Sequence, residues 1–262
     1  MSGTINMTQS SESVKSKGVL LFATDTKTTK YTEIAKRASR FIEVNLGLPV
    51  KVVSGNQTAE NRRFSIDSGQ FETWKNFGRC DAYKLSPWDQ TILLDCDYIV
   101  LDRNLLKLLD TVQDYALHGS NIYLDDFTRQ EPMGTHSLPM LWATVVVFNR
   151  TQKSQLLFEL VARIERNYPY YCKLYNITNT NFRNDFAFTI ADNIINGYNP
   201  NNNECRIPWP LITASNPLKS IQLNDNNVTV KDNKRAYVLP RQNLHIISKE
   251  YLLSDNFGEL VP

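Results

Sequence analysis

This 262-residue chain has little of several things, and each shortage closes off a class of protein. It has only four cysteines, Cys80, Cys96, Cys172 and Cys205, widely spaced and without a CxxC pair. A disulfide framework and a cysteine-built zinc site are both unsupported, and free thiols in a reducing compartment are expected. The longest uncharged, apolar-leaning run, Ser137 to Asn149, has 13 residues and an internal proline. A bilayer span needs roughly 20 apolar residues, so no membrane partner is expected. The first 17 residues are polar and Ser/Thr-rich, without the apolar stretch of a signal peptide,. They read as a disordered tail, with 18–262 as one domain and a cytoplasmic location. No GxxxxGK[ST] and no G-x-S-x-G occurs, which removes the support for P-loop and Ser/His/Asp hydrolase chemistry. The formal net charge of +2 is too small to imply nucleic acid or an anionic membrane. Matches to N-x-S/T such as Asn56–Thr58 and Asn176–Thr178 are read as chance in an Asn-rich chain.

What is present is the composition of a soluble globular domain, with 42% hydrophobic and 21% charged residues,. The apolar run Gly18 to Thr24 reads as a buried strand. A helix opening at Thr32 and Glu33 follows, with Ile34, Ala38, Phe41 and Ile42 on one face and Gly47 as C-cap. Val50 to Val53 is a second strand, which makes a βαβ unit and predicts a parallel sheet with helices on its faces. Ser54 to Lys75 is polar and irregular. Further strands are expected at Thr91–Leu94, Ile122–Leu124 and Ala143–Phe148, with a long polar loop over Asp125–Pro139. Thr151 caps a helix carrying Leu157, Leu160, Val161 and Ile164, and another runs from Asp185 to Asn196, stopped by Gly197. Short β-like runs at Val228–Val230, Ala236–Leu239 and Leu244–Ile247 punctuate an Asn- and Pro-rich, irregular C-terminal third.

The segment Thr91 to Leu109, TILLDCDYIVLDRNLLKLL, carries the strongest chemical signal. An apolar strand delivers Asp95 and Asp97 to the carboxyl edge of a parallel sheet, where open α/β sheets bind ligands. Alternation places both carboxylates on one side and Cys96 on the other. Two hard oxygen donors on one side suit Mn²⁺ or Mg²⁺ together with diphosphate oxygens. The plainer alternative is that aspartates end strands because they bond nearby backbone amides.

The stretch Arg79 to Asp110 resembles the glycogenin-like family of glycosyltransferases, to which bacterial galactosyltransferases are similar. The shared pattern is a basic residue, an aromatic approach segment, an apolar strand, D-x-D and N-x-x-x-L. Arg79 falls at the basic position and Trp88 stands where the family has Tyr. The resemblance implies the GT-A fold, a nucleotide-sugar donor (UDP-sugar in most members), Mn²⁺ or Mg²⁺, and transfer with retention. It implies that Thr24 and Asp25 meet the base and ribose, and that Tyr31 stacks on the base; packing at the helix start is the other reading of Tyr31. It further implies His245 as third metal ligand, Lys249 and Arg79 as stabilisers of the diphosphate, and Asp185 beside the sugar. A core histidine and a helix N-cap are the plain readings of His245 and Asp185. His118 and His136 read as ordinary surface or loop residues. Where the family has Asn-Ser-Gly before its V-M-V-F-N strand, this chain has Trp142-Ala143-Thr144, which implies an altered sugar pocket.

Together these readings describe a GT-A-like α/β domain with Asp97 and Asp185 as catalytic residues. Arg62, Arg63, Lys75 and Arg79 alternate with Trp74, Phe77, Tyr83 and Trp88, a mixture that suits sugar stacking, nucleic-acid contact or plain packing. The acceptor is therefore open among a saccharide, a protein and a modified DNA base, the last in a viral enzyme acting in host cytoplasm. An inactive nucleotide-binding relative is the non-enzyme alternative. A sugar-nucleotide pyrophosphorylase lacks support because its Gly-rich, Arg-containing first loop is missing after Gly18–Ala23.

Overall fold

A computed structural model describes residues 14–54, 62–65, 70–73, 78–125, 127–129, 132–133, 138–178, 181–199 and 204–262. The apolar run near the start forms β1 (Lys17–Phe22). Residues 1–13 of the expected tail lie outside the described part, but its end is held: Ser16 donates from its backbone and hydroxyl to Asp89. Helix α1 (Tyr31–Leu46) buries the stripe Ile34, Ala38, Phe41 and Ile42,. It stops where Gly47 adopts φ +65° and returns its N–H to the Glu43 carbonyl, a left-handed cap that favours glycine. Strand β2 (Val50–Val53) then pairs parallel with β1. The polar stretch beyond it contains an antiparallel hairpin, β3 (Arg62–Ser65) with β4 (Gln70–Thr73), which its polarity concealed.

A 3₁₀ turn at Arg79–Asp81 leads into α2 (Ala82–Leu85) and then β5 (Gln90–Asp95), β6 (Tyr98–Ile99) and α3 (Asn104–Thr111). Next come β7 (Tyr115–His118) and β8 (Asn121–Tyr123). The expected long loop holds the short strands β9 (Phe127–Arg129), β10 (Pro132–Met133) and β11 (Leu138–Pro139). Strand β12 (Trp142–Asn149) is buried along its whole length. Thr151 accepts the Ser154 N–H and so caps α4 (Gln152–Arg166), which precedes α5 (Tyr168–Leu174) and α6 (Asn184–Ile195),.

In the C-terminal third the described residues lie largely in strands and helices. It contains β13 (Arg206–Ile207), β14 (Leu211–Ala214), β15 (Leu218–Leu223), β16 (Asn227–Asp232), β17 (Ala236–Pro240) and β18 (Leu244–Ile246). Two short helices, α7 (Lys249–Leu253) and α8 (Asp255–Gly258), close the chain.

The central sheet runs β13-β7-β12-β5-β1-β2. Every strand points the same way except β12, which is antiparallel to both β5 and β7. Helices α1, α3 and α6 pack on this sheet, and α4 packs on α6. The architecture is α/β with a mostly parallel central sheet flanked by helices. Val19–Leu21, Ile92–Leu94 and Val145–Phe148 supply its buried centre. At Gly18 a Cβ would fall 2.1 Å from the Trp88 indole. Trp88 therefore packs on bare backbone, a close approach that only glycine allows.

A second sheet, β6-β18-β14-β8-β9, lies along one end. Three strands of the first sheet continue into it: β5 into β6 through Cys96 and Asp97, β7 into β8, and β13 into β14. The two sheets thus share a seam. The β15-β16-β17 meander is tied to α7, whose Tyr251 hydroxyl accepts the Ile221 N–H at 2.8 Å. No helix among the described residues is long and apolar enough to cross a membrane. None of Cys80, Cys96, Cys172 and Cys205 forms a disulfide among the described residues.

Candidate active site at the seam of the two sheets

Strand β5 has buried residues from Gln90 to Leu94 and ends in the half-buried Asp95, so the carboxylate stands where the apolar run stops. The chain turns at Cys96 and Asp97 and joins the second sheet as β6. Strand β18 pairs with β6 on one side and β14 on the other. A backbone bond from Ile246 N–H to the Asp97 carbonyl, 2.9 Å, pins β18 to the aspartate turn. This places His245 opposite the carboxylates. One donor atom each from Asp95, Asp97 and His245 lies within 4.8 Å of the others.

Two cations flank the group. Arg79, only 2% exposed, donates to Asp95 and, at 2.5 Å, to the Ala143 carbonyl. Lys249, at the start of α7, donates to Asp97. Burial pushes the Asp95 carboxyl up to about 6; Arg79 opposes that shift and the Asp97 charge adds to it. Asp97 is also buried, but His245 and Lys249 outweigh that and hold its carboxyl below the usual range. Burial alone would lower the His245 imidazole, yet the Asp97 carboxylate raises it above its ordinary value. Two neighbouring acids are thus driven apart, Asp95 towards its neutral form and Asp97 towards its charged form.

Asp185, in the first turn of α6, accepts the Ala143 N–H at 2.8 Å and the Arg183 guanidinium at 3.1 Å. Its charge contributes to raising Asp95, so it belongs to the same cluster. Ala143 is therefore gripped on both sides, its carbonyl by Arg79 and its N–H by Asp185. Trp142 and Thr144 are buried beside it, and the Trp142 ring lies edge-on to Tyr123 at 6.0 Å. Of the three residues at which the resemblance breaks, Ala143 bonds to Arg79 and Asp185, while Trp142 and Thr144 are buried.

Tyr31 opens α1, and burial raises its hydroxyl pKa. It lies within electrostatic reach of Lys249, Asp97 and Asp95. Thr24 is half-buried just after β1. The Asp25 carboxylate accepts the Thr32 N–H and hydroxyl at 2.8–3.0 Å, holding the first turn of α1. A cavity of about 450 Å³ borders Lys249 and is lined by Thr28, Thr29, Ser215 and Ser248 among others.

Other sequence expectations separate from the site. Tyr83 packs on Phe148 and Phe158 at 6.0 and 6.2 Å, and Trp88 covers Gly18, so both serve packing. Trp74, Lys75, Phe77, His136 and the Asn56–Thr58 match lie outside the described residues, and the backbone of Arg62 and Arg63 belongs to β3. His118 is not a surface residue. It is 0% exposed at the seam, with Nδ1 3.0 Å from the Trp209 carbonyl, and burial pushes its pKa down to about 4. Thr213 and Asn121 stand behind His245. They escaped the sequence reading because single polar residues in short strands carry no periodic or motif signal.

The donor set fits a divalent ion. Two carboxylate oxygens suit Mn²⁺ and Mg²⁺, whereas an imidazole nitrogen suits Mn²⁺ better than the oxygen-demanding Mg²⁺.

No family model matches this sequence, and no curated protein sequence matches it. Solved structures do. The apo-form glycosyltransferase GlyE of Streptococcus pneumoniae TIGR4 is 13% identical with a TM-score of 0.35, over 69% of this chain and 43% of that one. Galactosyltransferase LgtC in complex with donor and acceptor sugar analogues is 14% identical with a TM-score of 0.41, over 66% and 69%. Mouse xyloside xylosyltransferase 1 is 10% identical with a TM-score of 0.38, over 68% and 82%. The chain spans less than half the length of GlyE. Likeness at this level assigns no role to any residue, and what all three share is that they are named as sugar-transferring enzymes.

Proposed function

We propose that this chain is a metal-dependent GT-A-type glycosyltransferase that moves a sugar from a nucleotide sugar, a UDP-sugar in the first instance, to an acceptor with retention. The observation that carries the reading is the convergence of Asp95, Asp97 and His245 at the sheet seam, with the cations Arg79 and Lys249 on either side. A divalent ion held by those three donors supplies Lewis acidity towards a leaving diphosphate. Arg79 and Lys249 supply positive charge to the same leaving group as the glycosidic bond breaks. Asp185, oriented by the Ala143 N–H and Arg183, offers its charge to the sugar ring as positive character develops there. Thr24 and Asp25, just after β1, and Tyr31, at the start of α1, are the residues assigned to the nucleoside. The acceptor class, whether saccharide, protein or modified DNA base, is what the assay must find.

A second reading has its own support. Arg79 and Lys249 each neutralise one of the two carboxylates within the chain itself, and Trp142 fills space beside Ala143, as expected of a relative that binds a nucleotide without turning it over. Incubation with a panel of nucleotide sugars and Mn²⁺, with EDTA and Asp97→Asn as controls, separates the two. Metal-dependent release of nucleotide from one donor, lost in Asp97→Asn, supports transfer. Nucleotide binding without release from any donor, in the presence of candidate acceptors, supports the inactive form.

A further inference from the structure

The metal-facing imidazole is also held from behind. Strand β14 pairs with β18 so that Thr213 stands beside His245. Thr213 Oγ1 lies 3.2 Å from His245 Nδ1 and donates to Asn121 Oδ1 at 2.7 Å. Thr213 and Asn121 are both fully buried. An amide carbonyl oxygen can only accept, so the Thr213 hydroxyl hydrogen is committed to Asn121. Its lone pair is then what faces Nδ1, and the ring must bring the hydrogen to that contact.

At the front of the ring the nearest carboxylate contact is longer than the Thr213 contact behind it. Nε2 lies 3.6 Å from Asp97 Oδ2, and that oxygen already accepts from Lys249,. His118 Nδ1 meets a backbone carbonyl, that of Trp209, so it must donate there,. This leaves Nε2 of the neutral His118 ring a bare acceptor, buried and unpartnered among the described residues. The ring lies within electrostatic reach of His245. The Asn121 NH₂ group is likewise buried without a hydrogen-bond partner among the described residues.

We propose that Thr213 and Asn121 are positioning residues. Through them the neutral His245 ring keeps its hydrogen on Nδ1 and presents the bare Nε2 lone pair to Asp95 and Asp97 for a divalent ion. Outer partners of this kind fix the tautomer and orientation of metal-binding imidazoles, and their loss costs roughly 10–100-fold in metal affinity. This role rests on the metal-site reading above; the position of the ring hydrogen does not.

Nitrogen-15 NMR of the histidine rings in the full chain without metal, at alkaline pH, reads the tautomer directly. His245 is expected to show a protonated Nδ1 and a bare Nε2. Thr213→Val, which removes the hydroxyl at nearly constant volume, should shift the hydrogen towards Nε2 and weaken Mn²⁺ binding roughly 10–100-fold by calorimetry. Thr213→Ser should restore both the spectrum and the affinity. A wild-type ring protonated at Nε2 overturns the proposal. So does Thr213→Val with unchanged spectrum and affinity. A wild-type protein that binds no Mn²⁺ removes the metal site itself, while the ring spectrum still decides where the hydrogen sits.

Discussion

The two carboxylates and the imidazole that faces them come from parts of the chain built in opposite ways. Asp95 ends a six-residue strand paired along both edges, with β1 on one side and β12 on the other. His245 sits in a strand of three residues whose place depends on β6 and β14, partners about 145 and 32 residues away in sequence. The first half is a strong local pattern that would seek a core in any context. The second is a weak local pattern that long-range pairing makes definite. A single site can therefore be half legible and half hidden without either half being loosely held.

The largest test of this contrast is Asp97→Asn. It removes a charge that both His245 and Lys249 face, and turnover is expected to fall on the order of a thousandfold, measured as nucleotide release from the preferred donor. Next is Phe257→Ala, in the last helix. Phe257 is 1% exposed and packs on Phe41 and Tyr251 at 5.8 Å each. Its loss should cost about 3–5 kcal/mol in denaturant unfolding, as much as the about 2–5 kcal/mol expected for Leu93→Ala in β5. A much smaller loss at Phe257 would mean that the C-terminal segment is peripheral, and the comparison would fail.

His245→Ala should weaken Mn²⁺ binding by at least the roughly 10–100-fold that loss of an outer partner costs, with little change in melting temperature. Calorimetry and thermal unfolding on the same sample check both. The pH dependence is more gradual. Asp95 titrates near pH 6 and His245 above its ordinary value, and both gain protons as pH falls. A proton on either competes with the ion, so Mn²⁺ affinity should hold at pH about 8 and decline through about 7 to 5. Asp97, held below the usual range, stays ionised throughout. The smallest effect is Thr151→Ala, which removes the cap of α4 for about 1 kcal/mol,.

The central βαβ unit, the Gly47 cap, the Thr151 cap and the strand ending in Asp95 were readable because each carries its own signal: a spacing, a capping residue or an apolar run. The strands from Leu211 onward were only partly readable. They are two to six residues long, and polar residues in them, such as Thr213, are buried through pairing rather than composition. His118 was misread for the same reason, since nothing beside it in sequence announces the Trp209 carbonyl 91 residues away. The resemblance to the glycogenin-like pattern pointed to Asp95, Asp97 and His245 as one group, and they do converge. It could not foresee that Arg79 and Lys249 rest on the carboxylates, because that arrangement depends on which charges the folded chain leaves unneutralised.

Cys96 stands between the two aspartates, buried, with its thiol pKa pushed well above the ordinary value by burial and by both neighbouring carboxylates. Alkylation requires the thiolate, so the folded protein should resist it at that position. The rate at which a small alkylating reagent does modify Cys96 then becomes a clock for how often the turn between the sheets opens. Any ion or nucleotide that seats itself there will slow the clock, whether or not a reaction follows.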